Sequence, residues 1–310
     1  MNVYETLKFI RISKKIKQRD MLPSTADHQI YNRIETGRRK ISVDELFEAL
    51  NTLQVTPSEF FTLVTNYKEN QIKTIDSHLS SYSRKKFELD DEDKAQLLND
   101  YFYLNNIETK TVSELCLFCD IKALCHNIVV EIEPISKYDL HLIFTMIKNR
   151  KNGYYTYYEY RLVSNTIILF PQEKISFLLD KMFPIENLET RDEKVINIAS
   201  LAFNNAVTAS LHERDYKQAL YYIKLGKQQQ INPRNFLFYF SLGYLEDLLN
   251  YLVTGNITYL NKVYTFIVLL ENTNDSDFAE ILKDEVKKLA FETQRKTQKK
   301  ELKPVNMRTE

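Results

Sequence analysis

The chain has 310 residues, 42 of them basic and 42 acidic, with 18 Phe, 20 Tyr, no Trp and only 5 Gly and 7 Pro. That length exceeds what one core usually holds, so two domains are expected, and the scarcity of Gly and Pro favours long helices. A net charge of zero leaves no chain-wide field for a polyanion, so any nucleic-acid contact must come from a local patch. No stretch approaches the roughly 18 consecutive apolar residues of a membrane span. No leader pattern opens the chain, so a cytoplasmic protein without a membrane partner is expected.

Residues 1–64 hold five short helical patterns. Leu7, Ile10 and Ile16 form the apolar faces of the first two, Ile30 and Ile34 of the third, Leu46, Phe47, Leu50 and Leu53 of the fourth, and Phe60 and Phe61 of the fifth. Ser42 with Glu45, and Thr56 with Glu59 behind Pro57, are capping signals for the last two. Asp27 is a candidate cap for the third, and Gly37 a terminator after it.

Six basic residues and no acidic one lie between Lys8 and Arg19, and Arg33, Arg38, Arg39 and Lys40 form a second cluster. A helix-turn-helix needs one helix in the major groove, another across the backbone, and cations around both. Arg11, Lys14, Lys15, Lys17, Arg38 and Arg39 are the phosphate candidates. Gln18 opens the second helix, where an amide and helix N-terminal N–H groups can hold a phosphate. His28, Gln29 and Asn32 would face base edges, with Arg33 beside them for a phosphate or a guanine. Pro23 falls inside the second helix and should bend or shorten it.

Residues 66–75 read as a linker, 76–295 as a run of amphipathic helices, and 296–310 as a basic, unpatterned tail. Ile198 to Leu211, Phe236 to Leu252 and Ile257 to Leu270 are helical patterns. Between them, Asp215-Tyr216-x-x-Ala219-x-x-Tyr222-x-x-x-Gly226, closed by Asn232-Pro233, resembles the second half of a tetratricopeptide repeat. Small residues seven apart there let a neighbouring helix approach. The expected fold is all-α, with a lambda-repressor-like helix-turn-helix domain at 1–65 followed by a tetratricopeptide-like helical-repeat domain.

The order Leu7, Arg11, Gln18, Asn32, Arg33, Glu35, Gly37, Ile41-Ser42 and Val55-x-Pro57-x-Glu59-Phe60 looks like a helix-turn-helix of the Xre type. Together with Tyr138-Asp139-Leu140-x-Leu142-Ile143, Tyr157-Tyr158-Glu159 and Asn165, it is similar to the Rgg/GadR/MutR family of Gram-positive regulators. The tryptophan usual near position 154 is replaced by Tyr154 or Tyr155. The resemblance implies a homodimeric transcription regulator that binds a double-stranded DNA operator, with RNA polymerase as a further contact. It also implies control by a short hydrophobic peptide of quorum-sensing type.

Peptide candidates in the body are Asn204 and Asn205, Arg150, Lys151 and Arg161 for a terminal carboxylate, and Phe236 and Tyr239 for an apolar pocket. Asn205 matches an Asn common in the family. Cys116, Cys119, Cys125 and His126 have zinc-ligand chemistry but stand in an apolar helical segment, where Cys behaves as a small hydrophobe. The run from Tyr154 to Tyr160 reads as helix packing rather than a base-stacking platform. No phosphate loop, nucleophile elbow or metalloprotease motif occurs, so neither enzyme, metal nor cofactor is expected. The rival readings are the same architecture with a redox input or none, and a helical-repeat adaptor for another protein.

Overall fold

The structure is a computed structural model that describes every residue except 26–28, 65–70, 86–87, 152, 230–234, 273–275 and 293–310. All regular elements among the described residues are helical. The chain divides into two compact units, Met1–Ser80 and Ser81–Glu310.

The first unit opens with α1 (Val3–Ser13), begun by a reciprocal cap: the Asn2 side chain accepts from the Glu5 N–H, and the Glu5 carboxylate accepts from the Asn2 N–H. A 3₁₀ turn (Gln18–Asp20), α2 (Gln29–Glu35), α3 (Val43–Leu53) and α4 (Pro57–Leu63) follow. Ser42 and Glu45 cap α3 reciprocally, Thr56 accepts from the Glu59 N–H at α4, and Gly37 leaves α2 with φ +72°. Leu7, Met21, Ile34, Leu50, Leu53 and Phe60 are at the centre of the core.

Two expectations change here. The second helix is reduced to the 3₁₀ turn, because Pro23 has no N–H to donate and its ring steers Leu22 away from helical geometry. Phe47 and Phe61, read as inward-facing, are 51% and 47% exposed. On α3 the buried stripe runs through Leu46, Leu50 and Leu53, with Leu46 partly buried, and Phe47 lies one position off it. Asp27 lies outside the described residues.

The unit boundary falls within α5 (Gln71–Arg84). The second unit continues with α6 (Asp91–Asn105), α7 (Val112–Cys125), α8 (Lys137–Lys148), α9 (Tyr157–Thr166), α10 (Gln172–Met182), α11 (Glu193–Glu213) and α12 (Tyr216–Gln228). It ends with α13 (Phe236–Thr254), α14 (Ile257–Glu271) and α15 (Ser276–Val286), which runs into a π-helical turn at Lys287–Glu292. The antiparallel-repeat logic shows in α11, which packs against α9, α12 and α13. Ala199, Ala202, Ala206 and Ala209 are buried along α11 and let these neighbours close in.

On α12, Ala219, Tyr222 and Gly226 are buried. A Cβ on Gly226 would lie 3.1 Å from Leu242 Cδ2 and 3.4 Å from Phe203 Cβ, so the glycine admits α11 and α13 together. The Tyr222 hydroxyl meets Ser176 Oγ of α10 at 2.9 Å. Asn232 and Pro233, the expected closure, lie outside the described residues, as does the basic tail.

Several residues that carried the family resemblance serve as structural joints. Asp139 Oδ2 accepts from the N–H and hydroxyl of Ser136 and pairs with the buried Lys122 ammonium at 2.7 Å. Glu159 accepts from the N–H and hydroxyl of Thr156. Asn165 Nδ2 donates to the buried Asp120 at 2.7 Å. Burial alone would push Asp139 up, yet Lys122 and Ser136 hold it below the usual carboxylate range.

The three cysteines are buried in α7, and burial pushes the Cys119 thiol up to about 12 and the Cys125 thiol up to about 11. Tyr155 and Tyr160 are buried and meet edge to face, with the Tyr160 hydroxyl donating to the Met182 carbonyl, as helix packing requires.

Candidate functional site

In the first unit, the amide pair expected to face DNA comes together: Asn32 Nδ2 on α2 donates to Gln18 Oε1 on the 3₁₀ turn at 3.1 Å. Asn32 is exposed and Gln18 partly so, and Gln29 and Arg33 are exposed on the same helix. Such an arrangement holds one amide rigidly beside the other at a surface able to donate to and accept from base edges. Lys15, Lys17 and Arg38 are also exposed, and no acidic residue interrupts the run Lys14-Lys15-Ile16-Lys17-Gln18-Arg19. Lys15 has a φ of 57°, a turn conformation that ends α1. His28 lies outside the described residues.

Among the described residues, Arg11, Lys14 and Arg39 have internal partners. Arg11 forks onto Glu35, with Nε to Oε2 at 2.8 Å and Nη2 to Oε1 at 2.7 Å, and its Nη1 donates to the Ile16 carbonyl at 2.9 Å. Its side chain is 13% exposed and that of Glu35 2%, so Arg11 braces α1, the following loop and α2. The hydrogen bond to Glu35 outweighs burial and raises the guanidinium further above its usual value. The Lys14 ammonium donates to the Leu53 carbonyl at 2.6 Å, closing the C-terminal end of α3. Arg39 pairs with Glu45 at 2.6 Å and remains half-exposed.

In the second unit, a groove of about 340 Å³ is lined by one face of α11 (Lys194, Asn197, Ile198, Ser200, Leu201 and Asn204), with Tyr157 from α9 and Asn235 and Phe238 from α13. A second hollow of about 320 Å³ shares Asn197 and Asn235 and adds Leu188, Glu189, Arg191, Glu193 and Ile196. Asn235 Nδ2 donates to Asn197 Oδ1 at 2.9 Å where the two hollows meet. The groove walls are mainly apolar, with amides at intervals, a lining suited to an extended apolar chain whose backbone needs partners. Asn204 is 8% exposed, and its Oδ1 has no hydrogen-bond partner among the described residues.

Asn204 is the one expected peptide residue that lines this groove. Asn205 Nδ2 donates to the Ser164 carbonyl at 2.8 Å and ties α11 to α9. Arg161 pairs with the buried Asp120 at 2.8 Å, and Arg150 with Glu159 at 3.1 Å. Lys151 is exposed before α9. Phe236 is 62% exposed and stacks on Phe240, while Tyr239 is half-buried beside Phe238. Sequence reasoning passed over Lys194, Asn197 and Leu201, although their spacing with Asn204 marks one face of a helix. It had no signal for Asn235 and Phe238, which arrive from another helix.

Fold and sites together define a helix-turn-helix head followed by a helical-repeat body. No family model matches the chain, and no curated protein matches it. Solved structures do share its fold. A complex of PrgX with cCF10 superposes with a TM-score of 0.72 at 19% identity, over 93% of this chain and 92% of that one. A bacterial peptide pheromone/receptor complex gives 0.71 at 20% identity, over 93% and 98%. The SHP pheromone receptor Rgg2 of Streptococcus dysgalactiae gives 0.70 at 17%, over 93% and 99%. Among the described residues no helix is long and apolar enough to cross a membrane.

Proposed function

We propose that this protein is a transcription regulator of the Rgg type, whose head binds operator DNA and whose body binds a short hydrophobic peptide that alters that binding. The observation that carries the reading is the pairing, in one chain, of an exposed amide-and-cation surface at Gln18, Asn32, Lys15, Lys17 and Arg38 with an amide-lined apolar groove on α11. The likeness of fold over nearly the whole chain to structures described as pheromone receptors supports it.

In this reading Gln29, Asn32 and His28 approach base edges, and Gln18, Lys15, Lys17, Arg33, Arg38 and Arg39 approach phosphates. Arg11 and Lys14 act by holding the head in shape. The protein works as a homodimer, two heads meeting successive major grooves. The peptide acts only to the extent that it binds the DNA-competent and DNA-incompetent states with different affinity.

Buried thiols pushed up by desolvation argue against the redox alternative, since the reactive species is the thiolate. The test is fluorescence anisotropy of the purified protein on its own upstream DNA and on scrambled DNA, over a salt series, with and without conditioned medium from the producing strain. Selective binding that shifts with the medium is expected. Equal binding to both DNAs contradicts the regulator reading.

A further inference from the structure

We propose that Glu48 is a positioning residue for DNA recognition: from α3 its carboxylate fixes the segment that leads into α2, and so sets the angle at which α2 meets a duplex. The inference deepens the DNA-binding reading above and rests on it. Glu48 Oε1 accepts from the Ser24 N–H at 2.6 Å, and Oε2 accepts from the Ser24 hydroxyl at 2.5 Å, a two-point grip on one residue.

The need for this grip follows from the shortened second helix. A full helix ahead of α2 would hold it through side-chain packing and its own hydrogen-bond ladder. Here the 3₁₀ turn Gln18–Asp20 is followed by a tight turn in which the Thr25 N–H and hydroxyl both donate to the Leu22 carbonyl, at 3.1 and 2.9 Å. Met21 and Leu22 anchor this stretch in the core, whereas Ser24 is exposed and is held from α3 by Glu48.

The support is firm, because α3 is capped by Ser42 and Glu45 and buried through Ala49, Leu50 and Leu53. One turn ahead of Glu48, Glu45 pairs with Arg39 at 2.6 Å. Ser24 precedes α2 and Arg39 follows it, so two carboxylates on one face of α3 hold both flanks of the helix that offers Gln29 and Asn32. Hydrogen bonds to base edges weaken steeply with misalignment, whereas Lys and Arg reach phosphates through long, flexible stems. A loosened α2 therefore loses discrimination before it loses affinity.

The test uses the full-length protein and the variants Glu48→Ala, Glu48→Gln and Ser24→Ala, titrated by anisotropy on the protein's own upstream duplex and on a scrambled duplex. Glu48→Ala should lower the ratio of the two affinities about tenfold, the usual weight of hydrogen bonds to a charged group, with affinity for the scrambled duplex kept within about twofold. Glu48→Gln can still accept from the Ser24 N–H and can donate to the hydroxyl oxygen, so it should keep the ratio within about threefold of the natural protein. Ser24→Ala keeps the N–H and loses the hydroxyl, and should fall between the two.

Equal losses on both duplexes mean a merely structural role and overturn the proposal, as does a ratio unchanged in Glu48→Ala. A ratio as low in Glu48→Gln as in Glu48→Ala assigns the effect to charge rather than to the grip, and overturns it too. Should Glu48→Ala fail to fold, Ser24→Ala decides, and a ratio equal to that of the natural protein overturns the proposal. A natural protein with no preference for its own duplex overturns the DNA-binding reading, and this inference with it.

Discussion

Arg11 offers a way to separate folding from recognition, because the sequence placed it among DNA contacts and the structure places it against Glu35. Replacing Arg11 by Ala leaves a carboxylate that is only 2% exposed without its bidentate partner. Breaking a buried pair from one side typically costs about 3–5 kcal/mol. A unit of 80 residues such as Met1–Ser80 has a total stability of about 4–12 kcal/mol. The single substitution should therefore remove a large part of the head's stability and loosen its slowest amides. Hydrogen exchange at Leu50 and Leu53 on α3 reads this directly, and far-UV circular dichroism through a urea titration reads it in the whole chain.

The double variant Arg11→Met/Glu35→Leu removes both charges and should recover most of the loss. If Arg11 acts only as a brace, the double variant binds DNA nearly as well as the natural protein. A single variant within about 1 kcal/mol of the natural protein, or a double variant no more stable than the single, would refute the brace. A folded double variant that has lost DNA binding would return Arg11 to the interface.

Acid should weaken the body through Asp139. Its folded-state pKa lies below the unfolded one, so protons bind preferentially to the unfolded chain. The stability it contributes is complete above the ordinary aspartate value of about 4 and is lost as pH falls through the depressed one. Tm followed from pH 6 to pH 3 should fall more steeply in the natural protein than in Asp139→Asn, and parallel slopes would contradict the assignment. Cys119 and Cys125, with thiols near 12 and 11, should resist iodoacetamide at neutral pH until urea unfolds the chain. Rapid alkylation of the native protein would revive a redox input. Lys17→Ala should weaken DNA binding evenly across sequences and reduce the salt slope by about one, whereas Asn32→Ala should chiefly erode discrimination between sites. Anisotropy titrations on matched and mismatched duplexes distinguish the two.

The fold was legible wherever local chemistry decided it. Caps at Ser42 and Thr56, the terminator Gly37, and the Ala219–Tyr222–Gly226 stripe each act within a turn or two of their own position. Pro23 signalled a bent or shortened second helix by the same local rule, and the structure keeps only the turn Gln18–Asp20. The site was less legible because partner choice is a long-range property. Nothing in the residues around Arg11 says that Glu35, on another helix, will claim it. Asn205 looked as good a ligand residue as Asn204, and only the one-residue rotation on α11 sends the first to Ser164 and the second into the groove. Asn235 and Phe238 reach the groove from a helix more than thirty residues further along the chain.

The account rests on a link between groove and head, and linkage gives it a direct measurement. The affinity of the natural protein for its own upstream duplex should be determined with and without a saturating apolar peptide isolated from the conditioned medium, and the affinity for that peptide with and without saturating duplex. The account predicts that each ligand changes the other's affinity by the same factor, at least about fivefold. Equal duplex affinity with and without bound peptide would contradict it.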